Sequence, residues 1–178
     1  MRQLIYLIGA PGAGKSTLMG MLTCGWERRT APAPGPQRDW LINRDTCDVD
    51  AVEIGRRRAE FSGTDALGSA IINVAQPWLE TQTETDLVLA EGARLGNRRF
   101  LSAAVAAGYE TILVHLDHPD VDEWRASRAR ALGREQNPSW VAGRATACRN
   151  LSADPPDGVI VLRGHPDALF IALDGRYF

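Results

Sequence analysis

The chain contains a single lysine, Lys15, against 19 arginines. It lies in Gly9-Ala10-Pro11-Gly12-Ala13-Gly14-Lys15-Ser16-Thr17, which fits the pattern G-x-x-x-x-G-K-[ST]. Glycines at this spacing let successive backbone N–H groups turn inward around phosphate oxygens, and a helix starting there adds its positive partial charge. A compact ammonium reaches the β- and γ-phosphates as a point charge, which arginine's planar fork does not do. That requirement accounts for the one position where lysine is kept. The Ser16 hydroxyl is the group that would ligate Mg²⁺. All nine residues are therefore expected to bind a nucleoside triphosphate, with Lys15 also serving the chemistry.

Such a loop works only between a strand and a helix. Residues 4–8 (Leu-Ile-Tyr-Leu-Ile) read as a buried strand, and residues 16–24 place Leu18, Met21 and Leu22 at helical spacing. Further apolar runs at 40–42, 86–90, 111–116 and 159–162 read as four more strands. Helical patterns cover 64–75, where Pro77 comes next as a breaker, and 98–107, where Asn97 is an N-cap and Gly108 a terminator. Two more, at 119–132 and 138–151, open on proline, which is tolerated in a first turn. Strands alternating with helices argue for a parallel sheet covered on both faces, with ligands at the strands' carboxyl ends. Those ends bring Asn43 to Asp45, Glu91 and Asp117 into question beside Gly9.

The remaining arithmetic excludes several classes. With 178 residues, the chain fits one domain, residues 1–178. Its 44% hydrophobic and 24% charged residues exclude a disordered or fibrous chain. A net charge of −2 leaves no global basic field. No run approaches the roughly 20 apolar residues that span a bilayer, and the first run is too short for a signal peptide, so no membrane partner is expected. Cys24, Cys47 and Cys148 form no C-x-x-C pair, which speaks against a disulfide framework or zinc site and for a reducing, cytoplasmic location. His115, His118 and His165 show no ligand spacing and are assigned no chemistry. Residues 30–37 are a proline-rich surface loop.

The phosphate loop, then Leu41-Ile42-Asn43-Arg44-Asp45, then Leu116-Asp117-His118-Pro119 with a trailing arginine cluster, resembles the kinase domain of the bacteriophage polynucleotide kinase family. The resemblance implies a P-loop NTPase, an α/β three-layer sandwich with a central parallel sheet and a helical lid at about residues 119–151. A strand order of 2-3-1-4-5 is expected for the five strands. The resemblance also implies ATP and Mg²⁺ as cofactors, and a nucleic-acid or nucleotide acceptor whose hydroxyl takes the γ-phosphate. Asp45 falls on the family's general base, with Arg44 beside it at the acceptor. A carboxylate at a strand end facing the phosphate loop is also where elementary chemistry would orient a nucleophilic hydroxyl. The family's lid arginines fall on Arg130, with Arg125 and Arg128 nearby at the donor phosphates. Arg125 and Arg128 share a helical face from which Arg130 is rotated away.

Other segments depart from that pattern. Glu91 ends an apolar run where phosphate-loop proteins keep an acidic residue, and either serves the metal through water or faces the substrate with Arg94. Arg56, Arg57, Arg58 and Phe61 precede Ser-Gly-Thr-Asp at 62–65. This segment either caps a helix beside a solvated basic face or forms the acceptor site. In the acceptor reading the arginines take phosphates, Phe61 stacks on a base and Asp65 reads or deprotonates a hydroxyl. If Asp65 is the base, Asp45 becomes a secondary orienting group. Residues 136–150 add Trp140, Arg144 and Arg149 to the lid side. The altered acceptor segment points beyond a plain 5′ end, for example to the hydroxymethyl of a modified pyrimidine in DNA. A small-molecule kinase is the alternative.

Overall fold

Every residue of β1 (Gln3–Gly9) after the first is buried, and alternate side chains feed two separate cores. Leu4, Tyr6 and Ile8 join the core built with α2 (Ile72–Thr81), α3 (Arg98–Ala106) and α5 (Pro138–Ala153). Ile5 and Leu7 join the one built with α1 (Lys15–Leu22) and α6 (Pro166–Tyr177). A strand buried on both faces needs helices on both faces, and the three-layer α/β sandwich is the result. The computed structural model describes residues 1–56, 63–133 and 137–177.

The sheet has seven strands in the order β2-β3-β4-β5-β1-β6-β7. Besides β1 they are β2 (Glu27–Thr30), β3 (Arg38–Ile42), β4 (Val49–Ile54), β5 (Leu87–Glu91), β6 (Glu110–Leu116) and β7 (Val159–Gly164). Pairings from β4 to β7 are all parallel, whereas β2, β3 and β4 form an antiparallel meander. The expected order of five strands is preserved, but β4 stands between the 40–42 strand and β5, and β2 is added at the edge. Both additions are polar enough to have escaped an apolar-run criterion. β4 carries Glu53, only 4% exposed, which is paired with Arg28 of β2.

The β4 insertion reverses one expectation about the site. Because β3 is antiparallel to β4, its carboxyl end points away from the phosphate loop. Ile42 pairs with Val49, at the start of β4, while Arg38 pairs with Ile54 at its end. Asn43, Arg44 and Asp45 thus lie at the opposite rim of the sheet, roughly 17–20 Å of strand away at about 3.3 Å per residue. The Asn43 side chain caps this turn, accepting the Asp45 and Thr46 N–H groups at 2.9 and 3.3 Å.

A second correction concerns residues 64–75. They form a single 3-10 turn, Thr64–Ala66, and the helix begins only at Ile72, with Pro77 inside it. Thr64 is withdrawn from helix capping because its hydroxyl is bonded to the Glu91 carbonyl. The Asn97 cap accepts from the Phe100 N–H, and α4 (Val121–Leu132) ends at Gly133 in the left-handed region.

The 30–37 segment is tied down rather than loose. Arg38, 3% exposed, donates to the carbonyls of Pro34 and Pro36 at 3.0 and 3.2 Å and pairs with Glu84. Glu84 also accepts from the indoles of Trp40 and Trp78 at 2.6 and 3.3 Å. Partial burial pushes the Glu84 carboxyl up, but the bonds from Arg38 and Trp40 outweigh it and hold its pKa below the usual range. Removing Glu84 would strand a buried guanidinium, a loss of about 3–5 kcal/mol. Glu84→Ala is expected to lower the melting temperature by roughly 10 °C, measured by thermal unfolding at pH 7.

Candidate active site

The turn after β1 reaches helix α1 through Gly14, whose φ of 90° is reserved for glycine. Lys15 opens the helix and curls back beneath the loop, its ammonium donating to the carbonyls of Gly9 and Ala10 at 3.1 and 3.2 Å. Burial pushes the Lys15 pKa down against the pull of Glu91 and Asp65. The loop thus holds a cation with less counter-charge than its burial calls for, a deficit that a polyphosphate would fill.

Glu91 ends β5 directly beside this loop. It is 2% exposed, and its Oε2 accepts from the Ser16 hydroxyl at 3.1 Å. A hydroxyl and a carboxylate oxygen converging beside a phosphate loop are hard-oxygen donors of the kind that suit Mg²⁺. Ser16 and Glu91 are accordingly the residues that would hold the ion. Of the two sequence readings of Glu91, this favours the metal side.

Asp65 reaches the same place from the 3-10 turn. Its Oδ1 accepts from the Ala93 N–H at 2.6 Å, and its charge acts on Lys15 together with that of Glu91. The turn is seated by Thr64, which donates to the Glu91 carbonyl at 2.8 Å and meets the Tyr6 hydroxyl at 3.0 Å. With the Thr64 proton on Glu91, the single Tyr6 proton is shared between Thr64 Oγ1 and the Gly92 carbonyl at 3.1 Å. Burial raises the Tyr6 pKa, so it remains a neutral donor. Gly63 permits the approach, since a Cβ there would lie 2.4 Å from Glu91 Cγ. Sequence reasoning missed the Tyr6–Thr64 bracket. Its signal was a single hydroxyl within the apolar run of β1.

Helix α4 crosses the other side of the loop. A Cβ on Gly12 would sit 2.8 Å from that of Arg125, and one on Gly14 would sit 3.0 Å from the Trp124 ring. Arg125 pairs with Asp122 at 2.8 Å and, with Arg149, lines a cleft of about 200 Å³ that opens beside Ala10. Arg128 and Arg130 are placed further along α4, and Arg94 just past Glu91. Asp117, the acid just past β6, is paired with Arg163. Arg57, Arg58 and Phe61 lie outside the described residues. The structure therefore unites Gly9 to Thr17, Asp65, Glu91 and Arg125, and separates Arg44 and Asp45 from them.

A mostly parallel α/β sheet, a glycine loop with a half-buried lysine, and an acid facing the following serine define a P-loop nucleotide-binding protein. The model of the P-loop Nucleotide Kinase3 family matches residues 1–176, and the chain belongs to that family. This membership points to a kinase using ATP in phosphotransfer, and the match does not single out polynucleotide kinases among its kin. No curated protein matches the chain significantly. Among the described residues, no helix is long and apolar enough to cross a membrane.

Lys15→Met is expected to cut turnover by at least about 100-fold while leaving the melting temperature equal to or above that of the parent, because a half-buried, poorly compensated charge is removed. In the parent, ADP affinity should fall as pH rises through the depressed Lys15 pKa, by at most about tenfold per unit. Binding titrations between pH 7 and 10 measure it.

Proposed function

We propose that the protein transfers the γ-phosphoryl group of ATP to a hydroxyl of a nucleic-acid or nucleotide acceptor, with Asp65 as the residue that orients and deprotonates that hydroxyl. The observation that carries this reading is the convergence of Asp65 with Lys15 and Glu91 at the carboxyl end of the sheet. An in-line transfer needs the attacking hydroxyl on the far side of the γ-phosphate from the loop. It also needs a carboxylate to accept its proton and cations to meet the equatorial charge. Lys15 supplies one cation from below. Arg125, with Arg128 and Arg130 further along α4, supplies others from the lid side. Mg²⁺ bound by Ser16 and Glu91 supplies neutralisation of the phosphates when present.

On this reading the acceptor side is assigned to the segment that follows β4 in the sequence. Gly55 and Arg56 lead from the end of β4, and Arg56 exchanges backbone hydrogen bonds with Gly63. The run of arginines at 56–58 and Phe61 suit a phosphate-bearing acceptor with a stackable base. Asp45 has no part in this arrangement. A base hydroxymethyl in DNA is the acceptor form this reading favours, because a basic and aromatic run precedes Asp65 in the sequence.

Two measurements test this. Labelled γ-phosphate should pass from ATP to nucleic-acid acceptors in a panel of 5′-hydroxyl DNA, end-blocked DNA carrying hydroxymethylpyrimidines, and free nucleosides or sugars. Label confined to sugars or other non-nucleotide alcohols would overturn the acceptor class. Asp65→Asn should lower kcat by at least about 100-fold with ATP affinity retained, while Asp45→Asn stays within about twofold of the parent. The reverse pattern would return the base to Asp45.

A further inference from the structure

The spacing of the three histidines assigns them no chemistry, yet the fold brings two of them together. His118 lies just before α4, Asp120 occupies that helix's N-cap position without a side-chain capping bond, and His165 lies just before α6. Their ligand atoms lie within 4.8 Å of one another. His118 Nδ1 and His165 Nε2 stand 3.9 and 3.8 Å from the same oxygen, Asp120 Oδ2. The two imidazole rings meet edge to face with centroids 4.8 Å apart.

His118 supplies the decisive detail. Its side chain is 1% exposed, and its Nε2 sits 3.2 Å from the Ala13 carbonyl. A carbonyl only accepts, so Nε2 carries the proton and Nδ1 of the neutral ring presents a bare lone pair. That Nδ1 is buried and has no hydrogen-bond partner. An imidazole that donates through one nitrogen to a backbone carbonyl, with the other aimed at a carboxylate and a second imidazole, is arranged as a metal ligand with its outer partner in place.

We propose that His118 Nδ1, Asp120 and His165 form a binding site for a divalent transition ion of the Zn²⁺ class. Two imidazole nitrogens and one carboxylate oxygen favour such an ion over Mg²⁺, which prefers oxygen donors throughout. Ligand bonds of about 2.0–2.2 Å require the three groups to close up by roughly 1 Å. His165 and Asp120 are 33% and 48% exposed and have room to do so. On binding through Nε2, His165 gives up the Asp167 N–H that its Nδ1 accepts at 3.3 Å. It turns the ring proton instead toward the Asp167 carboxylate at 3.5 Å. The ion would tie the start of α4 to the start of α6 and, through His118 and Ala13, brace both against the phosphate loop. This site is separate from that of Ser16 and Glu91 and does not depend on the proposed acceptor or on Asp65.

Trp124 is a built-in reporter, with its ring 4.6 Å from His118 and 5.5 Å from His165. The test uses the full chain after chelation, without nucleotide, in a Cys24→Ser/Cys47→Ser background that removes the exposed thiols. Zn²⁺ titrated by calorimetry should bind at one site. Co²⁺ should develop visible absorption and quench a tryptophan signal that is lost in Trp124→Phe. His165→Ala and Asp120→Asn, both at partly exposed positions, should each weaken Zn²⁺ binding at least tenfold while circular dichroism stays unchanged. Zn²⁺ affinity unaltered in those two variants, or Zn²⁺ bound no better than Mg²⁺, would overturn the proposal.

Discussion

Lys15 keeps its ammonium beneath the phosphate loop, bonded to the carbonyls of Gly9 and Ala10 and drawn by Glu91 and Asp65. Everything else at this end of the sheet is arranged around that half-buried charge. β1 carries the loop at its end, and β5 delivers Glu91 one strand away. The Tyr6–Thr64 bracket holds the short turn that brings Asp65 alongside. A cation so placed is costly without anions and secure with them. The empty and filled states of the site therefore differ in electrostatic balance before any movement is invoked.

The sheet's topology decides which acids take part. In a wholly parallel sheet each strand would end at the loop's rim, and Asp45 would have qualified on the same grounds as Glu91. One antiparallel strand, β3, sends Asn43 to Asp45 to the far rim, and β4 becomes the strand that leads into the proposed acceptor segment. The pair of half-buried Arg28 with buried Glu53 ties β4 to the edge strand β2, and Arg38 with Glu84 anchors the proline-rich connection between β2 and β3. These ion pairs are thus structural supports for that side of the molecule.

The parts of the fold legible in the sequence are those governed by local chemistry. The phosphate loop, its strand and its helix were readable because chemistry dictates both residue type and spacing there. Asn97 and Gly108 marked the ends of α3 for equally local reasons. β2 and β4 were not readable, because their polar character hides the pairing of Arg28 with Glu53, which lie 25 residues apart. The helix expected at 64–75 failed similarly. Thr64 has helix-capping chemistry, but it spends its hydroxyl on the Glu91 carbonyl, 27 residues away. Asp65 was visible only as one of two competing bases, and the direction of a single strand separates them in space. His118 and His165, 47 positions apart in the chain, meet only because α4 and α6 start at the same rim.

The uniqueness of Lys15 makes its electrostatic state directly measurable. A protein labelled with ¹³C-lysine gives one side-chain Cε resonance, and its pH titration reports this ammonium alone. The expected result is a titration below the ordinary lysine value of about 10.4 in the free protein, moving upward when ADP is bound. An ordinary pKa in the free protein, unmoved by ADP, would contradict the claim that the loop holds an under-compensated cation awaiting phosphate.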